Sequence, residues 1–327
     1  MDNKLCLSSR VRIARSIKGF PFCDKLSESE ALGIIDEVRG ALGNEYSYIN
    51  FSHIPDNKKN VFVEQHLVSR DFVSSDRRRA LFLSADRSVS VMIGEEDHIR
   101  IQAFAEGLDL RRALSKAQAV EDILSESIEF AFDERYGYIT KCPTNLGTGV
   151  RASVLMFLPA LMNDSAQQLI SSLSSKGMTV RGMFGEGSSG AASLYQISNN
   201  VTLGITEEEI IRAVEGTVLT LEDAELSEQR RLIASNADAY VDDCMRALGI
   251  LRSAYIMTSS EAVKLISKAM LGVSAGLVSC GKDCQELYKI LLSALPFTLT
   301  ERADTEIKTS LDRDKYRARY LREIFQK

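Results

Sequence analysis

Residues 80–104 read ALFLSADRSVSVMIGEEDHIRIQAF. Three strand-like runs stand in this stretch: ALFLS (80–84), SVSVMIG (88–94) and IRIQAF (99–104). Each is short, and branched or aromatic residues dominate. VFVEQHLV (61–68), just upstream, reads the same way. Downstream, residues 114–132 change to helical period through Ala117, Val120, Ile123, Leu124, Ile128 and Ala131. Later still, MTVRGMF (178–184) and SLYQISNNVTLG (193–204) read as two strands joined by the glycine turn GEGSSGAA (185–192). Successive strands and a hairpin-like turn do not fit strict βαβ alternation. The order predicts an α+β fold, with an antiparallel or mixed sheet flanked by helices.

Outward from this core, residues 27–42 predict a helix. Ser27 and Glu30 have capping-box spacing, and Ile34, Ile35, Val38 and Leu42 share a face. ASVLMFLPALM (152–162) is an apolar run, followed by a helix around Gln167 to Leu173. From Glu222 the pattern is mostly helical, in SEQRRLIASNADAYVDDCMRALG (227–249), SSEAVKLISKAML (259–271), DCQELYKILLSAL (283–295) and DRDKYRARYLREIF (312–325). Two domains are expected, 1–228 carrying the sheet and 229–327 all helical.

Composition narrows the function. The chain has 327 residues, 45 % hydrophobic and 26 % charged, an ordinary globular mixture with room for more than one domain. No apolar run approaches a membrane span, and MDNKLCLSSRVR lacks the apolar core of a secretory signal, so a cytoplasmic protein is expected. Forty Lys and Arg against 45 Asp and Glu give a net charge of -5, which argues against general nucleic-acid binding. The basic residues come in short clusters (Arg10, Arg12 and Arg15; Arg77 to Arg79; Arg313, Arg317, Arg319 and Arg322), which suits small anionic ligands. The six cysteines are scattered, unlike a disulfide framework. The pair Cys280 and Cys284 has no further ligand at metal spacing, and no residue is assigned to a metal.

Four segments concentrate charge beside apolar strands. In SSRVRIAR, Arg10 and Arg12 are two apart and face one side of a strand. In GEEDHIR (94–100), a strand ends in Glu95, Glu96, Asp97, His98 and Arg100. In CPTNLGTGVR (142–151), a Cys-Pro turn and two glycines lead to Arg151. Its glycines suit a nest of backbone N–H groups around an anion, and the arginine suits a planar one. VRGMFGEGSSG (180–190) carries Arg181 at a strand end and Glu186 among glycines. Taken singly, each also reads as a solvated edge, a wet strand end or a surface turn. Together they describe a multi-arginine pocket for a polyphosphate with two carboxylates beside it. The Walker pattern and the eukaryotic kinase set are absent.

LSSRVRIAR, EEDHIR, CPTNLGTGVR and the RG…GE segment resemble the ATP:guanidino phosphotransferase family, which contains creatine and arginine kinases. The resemblance implies ATP bound as Mg²⁺-ATP, with phosphate contacts from Arg10, Arg12, Arg100, Arg151 and Arg181. It implies His66 near the nucleotide base, Glu96 as catalytic acid, Glu186 as a second guanidinium-binding carboxylate, and Cys142 as the reactive cysteine beside the guanidinium. Gly94 departs from the family pattern, which usually has Asn there.

Within the family, the likeness points to the bacterial protein-arginine-kinase branch (McsB type). The chain starts almost directly at LSSRVR, and GEGSSGAASLYQISN resembles that branch's turn. RDKYRA (313–318) matches its R-D-x-x-R-A motif, which implies a phosphoarginine site at Arg313, Asp314 and Arg317. This likeness covers nearly the whole chain. It implies transfer of the γ-phosphate of ATP to arginine side chains of proteins, a homodimer, an activator subunit and protease or chaperone partners. A kinase of free arginine or another small guanidino compound, and a non-catalytic phosphoarginine-binding protein, are the alternatives.

Overall fold

The structure is a computed structural model that describes residues 4–74, 77–162, 166–183 and 192–326. β1 (Cys6–Arg15) is followed by α1 (Glu28–Leu42), closed at its start by reciprocal Ser27 and Glu30 bonds. Next come β2 (Tyr46–Asn50), α2 (Asp56–Glu64), the single turn α3 (Arg70–Val73), β3 (Ala80–Ser84), β4 (Val89–Ile93), β5 (Ile99–Glu106) and α4 (Leu110–Ser125). The small hairpin β6 (Phe132–Asp133) and β7 (Gly137–Tyr138) precedes β8 (Val150–Phe157), α5 (Ala166–Ser175), β9 (Met178–Gly182) and β10 (Leu194–Asn199). Helices then take over: α6 (Glu207–Ser235), α7 (Ala237–Ser253), α8 (Ser259–Ser274), α9 (Cys284–Ser293), α10 (Pro296–Arg302) and α11 (Ser310–Phe325).

Eight strands form one sheet in the order β2-β3-β4-β5-β1-β8-β10-β9, with every neighbouring pair antiparallel. The α+β expectation holds. Strand alternation gives the sheet two chemically different faces. On one, Val11, Ile13, Val91, Ile101, Val154 and Ile197 are buried in a core shared with α1, α4 and α6. Ile13 and Ile101 are fully enclosed there, and trimming either to Ala costs about 2–5 kcal/mol. The other face presents Arg10 and Arg12 from β1, Arg100 and Gln102 from β5, Arg151 and Ser153 from β8, and Gln196 and Ser198 from β10. This polar face is flanked by a small aromatic core around Phe51, Phe72 and Leu81, and by the C-terminal helices. Those helices share a core with Leu5, just before β1, and with Leu7, Phe157 and Leu194 of the sheet.

Three sequence expectations are corrected. VFVEQHLV is not a strand, because Val61 to Glu64 complete α2 and the chain then turns at His66, whose φ is +59°. Pro55 before Asp56 gives that helix its start, Val61 is buried, and Phe62 and Val63 pack against the aromatic core. The helix expected over 114–132 is displaced to 110–125. Asp109 caps its start, and its expected last turn is instead extended, with Phe130 bridging Ile17. The pattern 227–249 is two helices, broken at Asn236.

Candidate active site

The register of β1 arranges the charged face in rows. Arg12 stands directly opposite Arg151 of β8, Arg10 opposite Ser153, and Ser8 opposite Leu155. Leu155 pairs with Gln196, which in turn pairs with Arg181 of β9. On the other side, Gln102 lies opposite Arg12, and Arg100 lies opposite Ala14. Arg181, Arg10, Arg12 with Arg151, and Arg100 therefore succeed one another along the strand direction. Past Arg100 come the Glu95–Glu96 turn, and past Arg151, toward the loop N-terminal to it, comes Cys142. The five predicted arginines, Glu96 and Cys142 share one end-to-end track.

The cations are poorly compensated. Arg10 donates to Gln196 Oε1 at 2.6 Å, and Arg151 donates to Ser198 Oγ at 3.0 and 3.2 Å. Neither partner carries charge. The Nε atoms of Arg10 and Arg12 are sealed from solvent and have no hydrogen-bond partner among the described residues. Burial, together with repulsion from Arg151 and Arg100, pulls Arg10 down to about 10. Arg12 is held well below its ordinary value by burial and by Arg10, Arg100 and Arg151. Arg151 is lowered by burial and by Arg181 and Arg100. Desolvated like charges with idle donors are costly unless an anion joins them, and several in a row fit a polyanion.

Two carboxylates pair with the cation at the Arg100 end. Arg100 pairs with the buried Glu95, which also accepts from Ser69 Oγ, and with Glu96 at 3.3 Å. Glu95 is enclosed, whereas the Glu96 side chain is 40 % exposed and free to meet a second cation. Asp97 is almost fully buried and accepts from Ser16 Oγ at 3.1 Å and Lys141 N at 2.7 Å, tying the acidic turn to the residue before Cys142. Cys142 is half-buried, its Sγ is 3.0 Å from Thr144 Oγ1, and a thiolate there would favour the charged form of Arg151.

The glycines of CPTNLGTGVR serve backbone packing, not a nest at Gly147. Gly147 N–H donates to Tyr138 O and Thr148 N–H to Thr202 O. Gly147 and Gly149 have φ of +108° and +66°, and a side chain would strike Thr202 O in the first case and Ala14 O in the second. Gly94 likewise has φ +82°, a value Asn and Gly tolerate best.

At the Arg10 end, a cleft of about 920 Å³ is lined by Arg10, His66, Arg181, Ser69, Ser259 and Pro296, among others. His66 Nε2 is buried without a partner among the described residues, and burial plus the Arg10 charge lowers it to about 4, so the ring is neutral at pH 7. Sequence reasoning named Glu95 and Asp97 in the acidic run without giving either a role, and missed Gln196, Ser198 and Tyr288. The last comes from α9, where burial raises its pKa and it lines a smaller hollow with Arg10 and His66. Strand period was a signal for Gln196 and Ser198; none existed for Tyr288. Glu186 lies outside the described residues.

Arg313, Asp314 and Arg317 form a separate group on α11. Arg317 is fully buried. Its Nη1 pairs with Asp314 at 2.5 Å and donates to Met257 O at 2.9 Å, and its Nε donates to Ala294 O at 2.8 Å. Arg317 Nη2 and Arg313 Nε are buried without partners among the described residues.

Residues 34–228 match the family described as ATP:guanido phosphotransferase, C-terminal catalytic domain, and residues 237–327 match the Protein-arginine kinase McsB C-terminal domain. The chain is 38 % identical over 328 residues to a protein-arginine kinase of Clostridium kluyveri, covering 98 % of this chain and 94 % of the relative. It is 37 % identical over 329 residues to one of Clostridium acetobutylicum, covering 98 % and 96 %. Among solved structures it resembles the duplicated taurocyamine kinase from Schistosoma mansoni with bound transition state analog components, with a TM-score of 0.62 and 28 % identity. That match covers 68 % of this chain and 33 % of the other, so this chain spans about a third of the duplicated enzyme. Lombricine kinase shares the fold, with a TM-score of 0.60, 24 % identity, and coverage of 69 % and 67 %.

Proposed function

The chain belongs to the ATP:guanido phosphotransferase family, and from that membership we infer that it is an ATP-dependent protein-arginine kinase. It transfers the γ-phosphate of ATP to the guanidinium of arginine side chains in proteins. The observation that carries the reading is the row Arg10, Arg12 and Arg151, without a carboxylate partner among the described residues, which runs on to Arg100, the exposed carboxylate of Glu96 and the thiol of Cys142.

A guanidinium is a poor nucleophile, being protonated and delocalised at pH 7. In our reading Glu96 grips the acceptor guanidinium and aligns one nitrogen with the γ-phosphorus. As the P–N bond forms and the bond to the ADP oxygen breaks, the nitrogen's proton passes to Glu96. Arg12, Arg100 and Arg151 bind the phosphate oxygens and offset the charge that develops there, and Arg10 and Arg181 hold the cleft end of the nucleotide. His66 lies beside the base. Cys142 steadies the guanidinium as a thiolate, without a covalent intermediate. Glu186 remains the proposed second carboxylate on the sequence alone. Mg²⁺ is proposed to arrive with the triphosphate, whose oxygens suit it, and to neutralise part of its charge.

For Arg313, Asp314 and Arg317 we propose a phosphoarginine site, because two buried guanidinium donors there have no partner among the described residues. The division into 1–228 and 229–327 is likewise proposed, supported by the two family matches and qualified by α6, which runs through residue 228 unbroken. Among the described residues no helix is long and apolar enough to cross a membrane. The cytoplasmic setting, homodimer, activator subunit and protease or chaperone partners are proposed on family likeness.

The test is incubation with ATP and an arginine-bearing protein, followed by mass spectrometry under non-acidic handling. Acid-labile phosphate on arginine, absent with Glu96→Ala, supports the reading. Turnover of free arginine instead would reassign the acceptor, and phosphoarginine binding without any turnover would make the chain a binding protein.

A further inference from the structure

One carboxylate of the sheet-bearing half caps a C-terminal helix at the wall of the cleft. Glu64, the last residue of α2, accepts Phe297 N–H at 3.0 and 3.1 Å and Thr298 N–H at 2.6 Å. These are the first free donors of α10, since Pro296 has no N–H and the N-cap position is Leu295, which has no side-chain acceptor. The sequence gives α10 no cap of its own. A residue more than two hundred positions away provides it, in charge-assisted form.

The same short helix is held from behind by Arg317. Its Nε bonds Ala294 O, just before α10, and its Nη1 bonds Met257 O, just before the Thr258 cap of α8. The first residues of both helices, Ser259 and Ser260 of α8 and Pro296 of α10, line the cleft that holds Arg10 and His66. Glu64 lines it too, and its charge acts on Arg317. Two residues after Glu64, His66 O accepts Gln102 Nε2 at 2.8 Å, on the arginine-bearing face of the sheet. A continuous path of direct contacts runs from α11 through α10 and Glu64 to His66 and the sheet.

We propose that Glu64 is a positioning residue that couples the helical domain to ATP binding. An anion drawn to Arg313 and Arg317 competes with the carbonyls of Ala294 and Met257 for Arg317. The shift in α10 then passes through the Glu64 carboxylate to the wall of the cleft. The proposal rests on the readings of the cleft as the ATP site and of α11 as a phosphoarginine site. Contact alone does not establish coupling, so the test measures coupling itself.

The experiment compares the full chain with its Glu64→Gln variant, which keeps the shape and loses the charge. The KM for ATP rises roughly 5-fold or more in the variant, the lower end of usual coupling, while kcat holds. Free phosphoarginine shifts the KM for ATP of the original chain. It binds the variant equally by calorimetry and no longer shifts its KM. Glu64→Asp, which keeps the charge, recovers part of the response and serves if Glu64→Gln unfolds early in a melting scan. Unchanged KM and an unchanged response to phosphoarginine overturn the proposal. If phosphoarginine fails to bind the original chain, the α11 reading and the coupling fall together, and the KM for ATP of Glu64→Gln decides only whether Glu64 positions the cleft wall.

Discussion

Arg12 and Arg151 face each other directly across the β1–β8 ladder, and Arg12 forms no ion pair among the described residues. Like charges in that position destabilise a sheet, and burial makes the repulsion worse. A fold keeps such a pair when a ligand of opposite charge completes it. The arrangement stores binding capacity for a polyanion at the expense of the free protein's stability.

Arg12→Met removes the charge and keeps most of the volume. We expect kcat/KM for ATP to fall roughly 10²-fold, as for loss of one preorganised charged donor. The melting temperature of the nucleotide-free protein should stay level or rise, because a buried, unpaired cation has gone. Steady-state kinetics and a thermal melt on the same preparation check both halves. A lower melting temperature with intact kinetics would make Arg12 structural.

Asp97 has a different task. Through Ser16 and Lys141 N–H it fixes the acidic turn against the Cys142 loop. Asp97→Ala should cost about 1–3 kcal/mol in urea unfolding, the usual penalty for stranding buried partners. It should also raise the KM for the acceptor protein more than the KM for ATP. Equal changes in the two constants would detach Asp97 from the acceptor side.

Thiol reactivity should separate the predicted cysteine from the four buried ones. Cys6, Cys23, Cys244 and Cys284 are buried, and burial raises all four thiols, Cys23 and Cys284 to about 12. Cys142 and Cys280 are only half-buried. Iodoacetamide should therefore modify these two first, since the thiolate is the reactive form. Peptide mapping against time should show activity falling with Cys142 alone, while Cys142→Ser retains some turnover. Full activity after complete Cys142 alkylation would exclude it from the site.

Acid should act through His66. Its folded pKa is depressed from 6.5 to about 4 by burial and by Arg10, so between those values the unfolded chain binds a proton that the folded one refuses. Stability from this group is whole above pH 6.5 and is lost as pH falls toward 4, by up to about 3 kcal/mol. His66→Asn suits the positive φ and should flatten the pH dependence of the urea midpoint in that window. Parallel curves for the two proteins would remove His66 as the cause.

Much of the site was legible in the sequence because strand period is local. Two arginines at spacing two must share a face of β1, whatever β1 packs against. The acid run after SVSVMIG and the Cys-Pro loop before Arg151 were visible as interruptions of apolar pattern, and the family resemblance supplied their roles. The capping pair Ser27 with Glu30 was equally local, and its helix begins where that pair predicts. The helix through Val61 was missed because three adjacent apolar residues look alike in a strand and in a helix that meets a core at its end. Only Pro55 and the Phe51–Phe72 cluster on which it packs decide the matter.

The chain order therefore determined which residues are chemically available: the arginine pairs, the exposed acid, the thiol and the caps. Tertiary structure decided which of them lack partners and how they line up. Strand register set Arg12 against Arg151, and long-range contacts gave Asp97 to the Cys142 loop and Glu64 to α10. The physical reason is that side-chain spacing is fixed by bonded geometry over a few residues. Burial and charge compensation instead depend on neighbours distant in the sequence, such as those of Asp97, Arg12 and Glu64.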